Sequence, residues 1–217
     1  MAEKRKRQPV LDPTDRVSEV LFGLIMVLTF TGAVSVATGG REEVKTLLIE
    51  ALGCNLAWGI VDASFYLMGV LGLRGHGLLV LKRLRKAKND EAHGLIADAL
   101  PPVLASVLEP QDLETMRKRL LTLPELPARP RLSREDLLGA LGVFLLVFLS
   151  TFPVVIPFLL IGEPRLALRA SNAVALVMLF FCGYLLGRFS GLRAWLTGLV
   201  MIGLGLLFVA LCMALGG

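Results

Sequence analysis

Charged residues are scarce in this sequence. Asp, Glu, Lys and Arg make up only 19% of its 217 residues, whereas apolar residues make up 55%. Soluble globular domains carry about 25% charged residues, and the mean hydropathy of +0.70 points away from that class. The composition therefore excludes an ordinary soluble domain and indicates an integral membrane protein.

Cysteine, aromatic residues and catalytic motifs are also few. The three cysteines, Cys54, Cys182 and Cys212, lie in apolar segments without metal-ligand spacing, which argues against a disulfide framework or a zinc site. Aromatic residues make up 7%, and the net charge of +5 comes from basic residues beside apolar segments, so no nucleic acid partner is expected. The sequence has no Ser-His-Asp pattern, phosphate-binding glycine loop or HExxH motif, and we do not expect an enzyme.

Long apolar runs are what the sequence has instead. A helix of about 20 apolar residues crosses a bilayer, and the runs that are long enough are 17–38, 46–73, 137–161, 170–186 and 194–215. The basic start MAEKRKR precedes QPVLDPTDR rather than an apolar run, so no cleaved signal peptide is expected. The predicted fold is all-α, a polytopic membrane protein with five transmembrane helices and a small helical cytoplasmic insertion between helices 2 and 3.

The chain is predicted to have four parts. A basic cytoplasmic tail, 1–16, precedes transmembrane helices 1 and 2 in 17–73, and a helical connection, 74–136, precedes transmembrane helices 3 to 5 in 137–217. Pro101, Pro102 and Pro110 divide the connection into two or three short amphipathic helices. Because Lys and Arg concentrate in the tail and the connection, the N-terminus is expected in the cytoplasm and the C-terminus outside.

The second apolar run carries a polar face. Asn55, Gly59, Asp62 and Tyr66 are spaced by four, three and four residues, so they lie on one side of a helix. A carboxylate in the middle of a bilayer costs at least about 2.5 kcal/mol, and such residues usually face a bundle interior, a cavity or an ion path. Asp62 is therefore a candidate cation ligand with Asn55 beside it. The alternative is a protonated Asp62 that holds two helices together by a hydrogen bond.

The first run offers partners for Asp62. Glu19, Gly23, Met26 and Phe30 share a helical face. A hard carboxylate oxygen and a soft thioether together suit a borderline ion such as Fe²⁺ better than Mg²⁺ or Ca²⁺. Glu19 and Met26 are thus candidate metal ligands, and Met68, six residues past Asp62, is a further candidate. The alternatives are that Glu19 pairs with Arg16 and that Met26 only fills the core.

Prolines and small residues mark the last three runs. Pro153 and Pro157 remove backbone donors within the third run and predict either a kink or carbonyl groups that an ion can use. Ser171 and Asn172 are predicted to cap the fourth helix. The glycines at positions 183, 187 and 191 predict close packing of helices, within one subunit or across a dimer.

The connection contains a second group of candidate metal ligands. Asp90, Glu91 and His93 lie close together in the sequence, and Glu114 follows on a second segment. Carboxylates with a histidine can bind a metal near the inner mouth of a pathway. The alternative is that these residues form only the charged, solvated surface of exposed helices. The excess of basic over acidic residues in the connection favours this alternative.

The layout and several segments resemble the vacuolar iron transporter family and its bacterial relatives. The segments are LTFTGAVS in the first run, FPVVIPFLL in the third, and SNAVALVMLFFCGYLLGRFSGLRAWLTGLVMIGLG in the last two. The resemblance implies a homodimer that exports Fe²⁺ or Mn²⁺ in exchange for protons. It places Asp62 where the family has the acidic residue of its GEY stretch. The chain departs from the family at LFGLIM, where Phe22 stands in place of an aspartate.

These observations lead to two hypotheses. The first is a homodimeric transporter in a bacterial inner membrane that exports a divalent transition metal, Fe²⁺ or Mn²⁺, with protons as counter-ions and with no tightly bound cofactor. Its partners would be the lipid bilayer, the metal ion and protons. The second is a membrane-anchored binding or scaffold protein whose basic cytoplasmic hairpin binds anionic lipid or a protein partner.

Overall fold

A computed structural model of the protein describes residues 11, 13–33, 41–123, 127 and 129–214. Within these ranges every regular element is a helix, which confirms the all-α prediction. The helices in chain order are α1 (Pro13–Ala33), α2 (Arg41–Leu84), α3 (Asn89–Asp98), α4 (Pro102–Ala105), α5 (Pro110–Leu121), α6 (Arg134–Leu160), α7 (Pro164–Phe189) and α8 (Ala194–Ala214).

Several helices have the length and composition of membrane spans. Among the described residues, Leu48–Leu84, Arg134–Leu160 and Pro164–Phe189 are long and apolar enough to cross a bilayer, and Ala194–Phe208 is a shorter apolar helix. Helices α1 and α8 have 21 residues each, or about 31 Å at 1.5 Å per residue. The chain is thus a membrane protein with several apolar helices, while the count of five spans stays a prediction. Residues 34–38 and 215 of the predicted spans lie outside the described residues.

The chain forms two compact units. The bundle unit consists of Met1–Tyr66 and Arg134–Gly217, and the connection unit consists of Leu67–Ser133. In the bundle unit, apolar residues of α1 lie on one face of the helix and pack against α6, α7 and α8, because burial in the bundle removes them from their surroundings together. The buried core contains Val17, Leu21, Leu24, Val27 and Leu28 of α1 with Val154, Ala175 and Leu179.

Glycines bring α7 and α8 together. A Cβ atom added at Gly183 would lie 2.9 Å from the Cα of Gly198, and one added at Gly187 would lie 2.8 Å from the Cα of Ala194. The prediction of close packing is therefore confirmed for these two glycines within one subunit. It is wrong for Gly191, which has open space around it and a φ of +71°. Gly191 ends α7 in a left-handed turn, in which the Leu192 N–H donates to the Gly187 carbonyl at 2.8 Å.

Helices α2 and α7 extend furthest beyond the segments that the sequence predicts. Helix α2 continues past 73 to Leu84, because the good helix formers of LLVLKRL follow Gly75 and Gly77 directly. Helix α7 begins at Pro164, a residue suited to the first helical position. Ser171 therefore lies inside α7 and does not cap it. Its side chain is buried and donates a hydrogen bond of 2.7 Å to the Val154 carbonyl of α6.

The connection unit contains the short helices α3, α4 and α5. The sequence predicts two or three short helices in this segment. Pro102 and Pro110 occupy the first turns of α4 and α5, where a missing N–H does no harm. Ala92 and Ile96 of α3 are buried in a small core, against which Met116 of α5 packs. Met116 is thus part of the apolar contact between α3 and α5.

Candidate functional site

Helices α1 and α2 meet in an antiparallel register that follows from two contacts and one electrostatic interaction. The Asn55 amide nitrogen lies 3.4 Å from the Gly23 carbonyl oxygen. The rings of Phe22 and Trp58 meet edge to face, with centroids 5.9 Å apart. One turn further along, the carboxylates of Glu19 and Asp62 come close enough to repel each other. Phe22 therefore packs against α2, and Glu19 supplies the carboxylate opposite Asp62.

Asn55 is the polar residue buried most deeply on α2, with 1% of its surface exposed. Its amide nitrogen also donates a hydrogen bond of 2.5 Å to the hydroxyl oxygen of Thr151 on α6. One side chain thus connects α2 to both α1 and α6. Its oxygen, Oδ1, is buried and has no hydrogen-bond partner among the described residues. A buried acceptor without a donor costs about 1–3 kcal/mol.

Asp62 presents a second buried acceptor. Its Oδ2 atom is buried and, within the described part of the chain, accepts no hydrogen bond. Glu19 and Asp62 are each partly exposed, so the two carboxylates are shielded from water on one side only. Two nearby carboxylates are stable together when a proton or a cation lies between them. The pair is therefore a site of negative potential at the contact of α1 with α2.

The remaining members of the polar face contact α6. A Cβ atom at Gly59 would lie 3.2 Å from the Phe144 carbonyl oxygen, so the absence of a side chain lets α2 approach α6. The Tyr66 hydroxyl packs against Gly139 in the same way. The polar face that the sequence predicts on α2 is thus turned toward α1 and α6. Its members are Asn55, Gly59, Asp62 and Tyr66.

The two methionines take different places. Met26 is half-buried on α1, seven residues after Glu19 and on the same side of the helix. Met68 belongs to the connection unit and is 54% exposed. Their roles as ligands stay predictions. Arg16, which the sequence offered as a partner for Glu19, instead donates from its Nε to the Leu11 carbonyl at 3.1 Å.

Thr151 and Ser150 are polar residues of the bundle interior that sequence reasoning missed. Thr151 is fully buried and accepts from Asn55. Ser150 is also buried, and its hydroxyl donates to the Val147 carbonyl at 2.7 Å. Both precede Pro153 in an otherwise apolar helix. Two adjacent hydroxyl residues in such a run are the signal that identifies them.

In the connection unit, the structure brings together two of the four candidate ligands. His93 Nε2 lies 3.1 Å from Glu114 Oε2, and Arg117 donates to both oxygens of Glu114 at 2.8 and 2.9 Å. Asp90 and Glu91 are exposed. Among the described residues, no three His, Cys, Asp or Glu side chains come together. A metal at His93 and Glu114 would have to displace the Arg117 guanidinium.

The same cluster makes the connection unit sensitive to acid. The hydrogen bond from Arg117, with a smaller contribution from His93, lowers the pKa of Glu114 from 4.5 to about 2. A depressed carboxylate pKa stabilises the folded state fully above about 4.5, and this contribution is lost as the pH falls toward about 2. We expect hydrogen exchange in residues 89–121, corrected for the intrinsic rate, to accelerate over that pH window.

The control for this prediction is a second carboxylate of the same unit. Glu114→Gln should weaken the contact of α3 with α5 and remove most of the pH dependence, because the titrating group is gone. Glu91→Gln, at an exposed position of α3, should leave the pH dependence as in the wild type. Equal pH profiles for the wild type and Glu114→Gln would show that another group controls the acid response.

Comparison with known proteins identifies the family. The sequence profile of the VIT family matches residues 89–217, which is more than half of the chain and covers α3 to α8. The match begins after the helices that carry Glu19, Asn55 and Asp62. Among curated proteins, none matches the chain significantly. The matched length is sufficient to place this chain in the VIT family of vacuolar iron transporters, which are metal ion transporters and not enzymes, as the sequence resemblance predicted.

Proposed function

We propose that the protein exports a divalent transition metal, Fe²⁺ or Mn²⁺, through the bundle unit in exchange for protons. The observation that carries this proposal is the facing pair Glu19 and Asp62, in which the buried Oδ2 of Asp62 lacks a donor. A cation between the two carboxylates removes their repulsion and satisfies the buried oxygen. Family membership supports metal as the transported substrate.

Proton exchange follows from the chemistry of the pair. Protonation of a desolvated carboxylate removes the charge that holds the cation. Metal binding favours loss of protons from Glu19 and Asp62, and proton entry favours release of the metal. The two ions therefore compete for one site, which is the condition for exchange transport.

Polar residues about two helical turns from the pair bear on the choice of ion. The Asn55 Oδ1 and the Thr151 hydroxyl are neutral oxygen ligands that a cation would meet further along α2, and Met26 supplies a thioether on α1. A set with few charged oxygens and one sulfur favours Fe²⁺ or Mn²⁺ over Ca²⁺, which takes 6–8 oxygen ligands.

The packing around Asn55 supports a direction of access. Beyond Asn55, toward the end of α1, the residues of both helices are apolar and buried: Leu24 and Val27 on α1, and Leu48 and Ala51 on α2. The carboxylate pair lies on the other side of Asn55, toward the Pro13 end of α1. We propose a homodimer in a bacterial inner membrane, with the N-terminus in the cytoplasm. In this topology the Pro13 end of α1 faces the cytosol.

Transport into vesicles tests the proposal. The protein is reconstituted in liposomes that contain a metal-sensitive dye, and Fe²⁺ or Mn²⁺ is added with and without an imposed pH gradient. We expect metal uptake that is faster when the vesicle interior is more acidic than the outside, because protons then leave as the metal enters. Uptake of Ca²⁺ or Mg²⁺ should be small. Protein-free liposomes give the background. If Fe²⁺, Mn²⁺, Co²⁺ and Zn²⁺ all enter no faster than in protein-free liposomes, the transport proposal is wrong.

A further inference from the structure

A long groove runs along the outside of the bundle unit, between α1 and α6. Its volume is about 550 Å³, within the range of small-molecule sites. The wall is formed by apolar residues of α6 with Val20 of α1 and Met178 of α7, and Arg16, one helical turn before Val20 toward the start of α1, also lines it. No part of the proposed metal site lines it.

The dimensions of the groove match one leaflet of a bilayer. Its α6 wall extends from Leu138 to Pro153, which is about 22 Å along a helix, and one leaflet together with its headgroup region is about 20–22 Å thick. The proposed topology puts the start of α6 at the cytoplasmic surface. The groove would therefore run from the inner lipid headgroups to the middle of the membrane.

The chemistry of the wall selects a hydrocarbon chain. Leu145 and Leu149 line the groove, and the hydroxyl of Ser150 already donates to the Val147 carbonyl. Gly142 keeps the groove open, since a Cβ atom there would lie 3.1 Å from a methyl group of Leu11. A polar or charged ligand would find no partner along this wall.

Arg16 adds a charge at the end where a lipid headgroup would lie. Its side chain is exposed, and its Nε donates to the Leu11 carbonyl. Among the described residues, no carboxylate pairs with this guanidinium, so its terminal nitrogens can donate to a ligand. Arginine binds phosphate through paired N–H groups, and cytoplasmic leaflets are rich in anionic lipids.

We propose that this groove binds one anionic phospholipid of the inner leaflet, with an acyl chain against α6 and the phosphate on Arg16. The proposal does not depend on metal transport. It predicts that the lipid stabilises the contact of α1 with α6, because Val20 and Leu145 would both cover the same chain.

Native mass spectrometry tests this proposal on the full chain in detergent. We expect one phosphatidylglycerol to remain bound per chain at concentrations where phosphatidylcholine with the same acyl chains does not. Arg16→Gln should reduce retention of phosphatidylglycerol by about tenfold, the effect of losing one charge-assisted contact. Arg193→Gln, which removes an exposed arginine before α8, should leave retention unchanged.

A second pair of variants tests the groove itself. Gly142→Leu should fill the groove and abolish retention while Arg16 is intact. Gly203→Leu adds the same side chain on α8, where a Cβ atom meets nothing within 4 Å, and should retain the lipid. Equal retention of the two lipids, or unchanged retention in Arg16→Gln, overturns the proposal. So does a disulfide between two chains that each carry Leu145→Cys, since the groove would then be an interface between copies.

Discussion

Asp62→Asn is expected to reduce metal transport by about 100-fold or more. The variant keeps the size of the side chain but removes the charge, so the site loses both its hold on the cation and a group that exchanges protons. Changes in groups that only orient a metal ligand already cost about 10–100-fold, and loss of a ligand should cost at least as much. The measurement is the initial rate of Fe²⁺ or Mn²⁺ uptake into dye-loaded liposomes.

Glu50→Gln is the matched control for this variant. Glu50 also lies on α2, but its side chain is exposed, and its neutralisation should leave the transport rate within a factor of about two of the wild type, as expected for a surface change. Glu19→Gln should behave like Asp62→Asn, because both residues belong to the same pair. Wild-type rates in Asp62→Asn, from protein that elutes and melts normally, would remove Asp62 from the transport site.

Gly23→Leu is expected to destabilise the bundle unit by about 3 kcal/mol or more, the upper end of the range for overpacked cores. A Cβ atom at Gly23 would lie 2.6 Å from the Val147 carbonyl oxygen, and it would also collide with the Ser150 hydroxyl. Because the backbone of α6 cannot rotate away as a side chain can, α1 would have to move. Thermal unfolding in detergent, followed by tryptophan fluorescence, measures the loss.

Two further variants keep this prediction testable if Gly23→Leu does not fold. Gly23→Ala should fold with a lower melting temperature and slower transport, since α1 carries Glu19 one turn away on the same face. Gly53→Leu adds the same side chain to α2, where a Cβ atom meets nothing within 4 Å. Leucine has a higher helix propensity than glycine, so Gly53→Leu should be neutral or stabilising. A melting temperature of Gly23→Ala equal to that of the wild type would contradict the close contact of α1 with α6.

The sequence was sufficient to predict the class of fold and one side of the site. Membrane-length apolar runs determine helices because a backbone in hydrocarbon must satisfy its own hydrogen bonds. The spacing of Asn55, Gly59, Asp62 and Tyr66 then determines which residues share a face. The register that places Asp62 opposite Glu19 depends on how α1 and α2 pack, and periodicity within either helix contains no such information.

The remaining errors have specific physical causes. Thr151 was missed because its role depends on Asn55, which is 96 residues away in the chain. Ser171 was assigned to a helix cap because hydroxyl residues favour caps, but Pro164 starts α7 earlier and turns Ser171 toward α6. Gly191 has the same four-residue spacing as the packing glycines Gly183 and Gly187. Its positive φ, which the sequence does not reveal, shows that it belongs to a turn instead. In each case tertiary contacts or backbone geometry outweigh a local preference.

The lone acceptor on Asn55 affects the balance between a dry bundle and a hydrated one. Water that reaches Oδ1 would supply the donor that the dry arrangement lacks, worth about 1–3 kcal/mol. A gain of 1.4 kcal/mol changes a population ratio about tenfold. The free energy that favours the dry bundle is therefore smaller than the apolar surface buried between its helices indicates. We expect water to reach Asn55 more often than it would if Oδ1 had a hydrogen-bond donor.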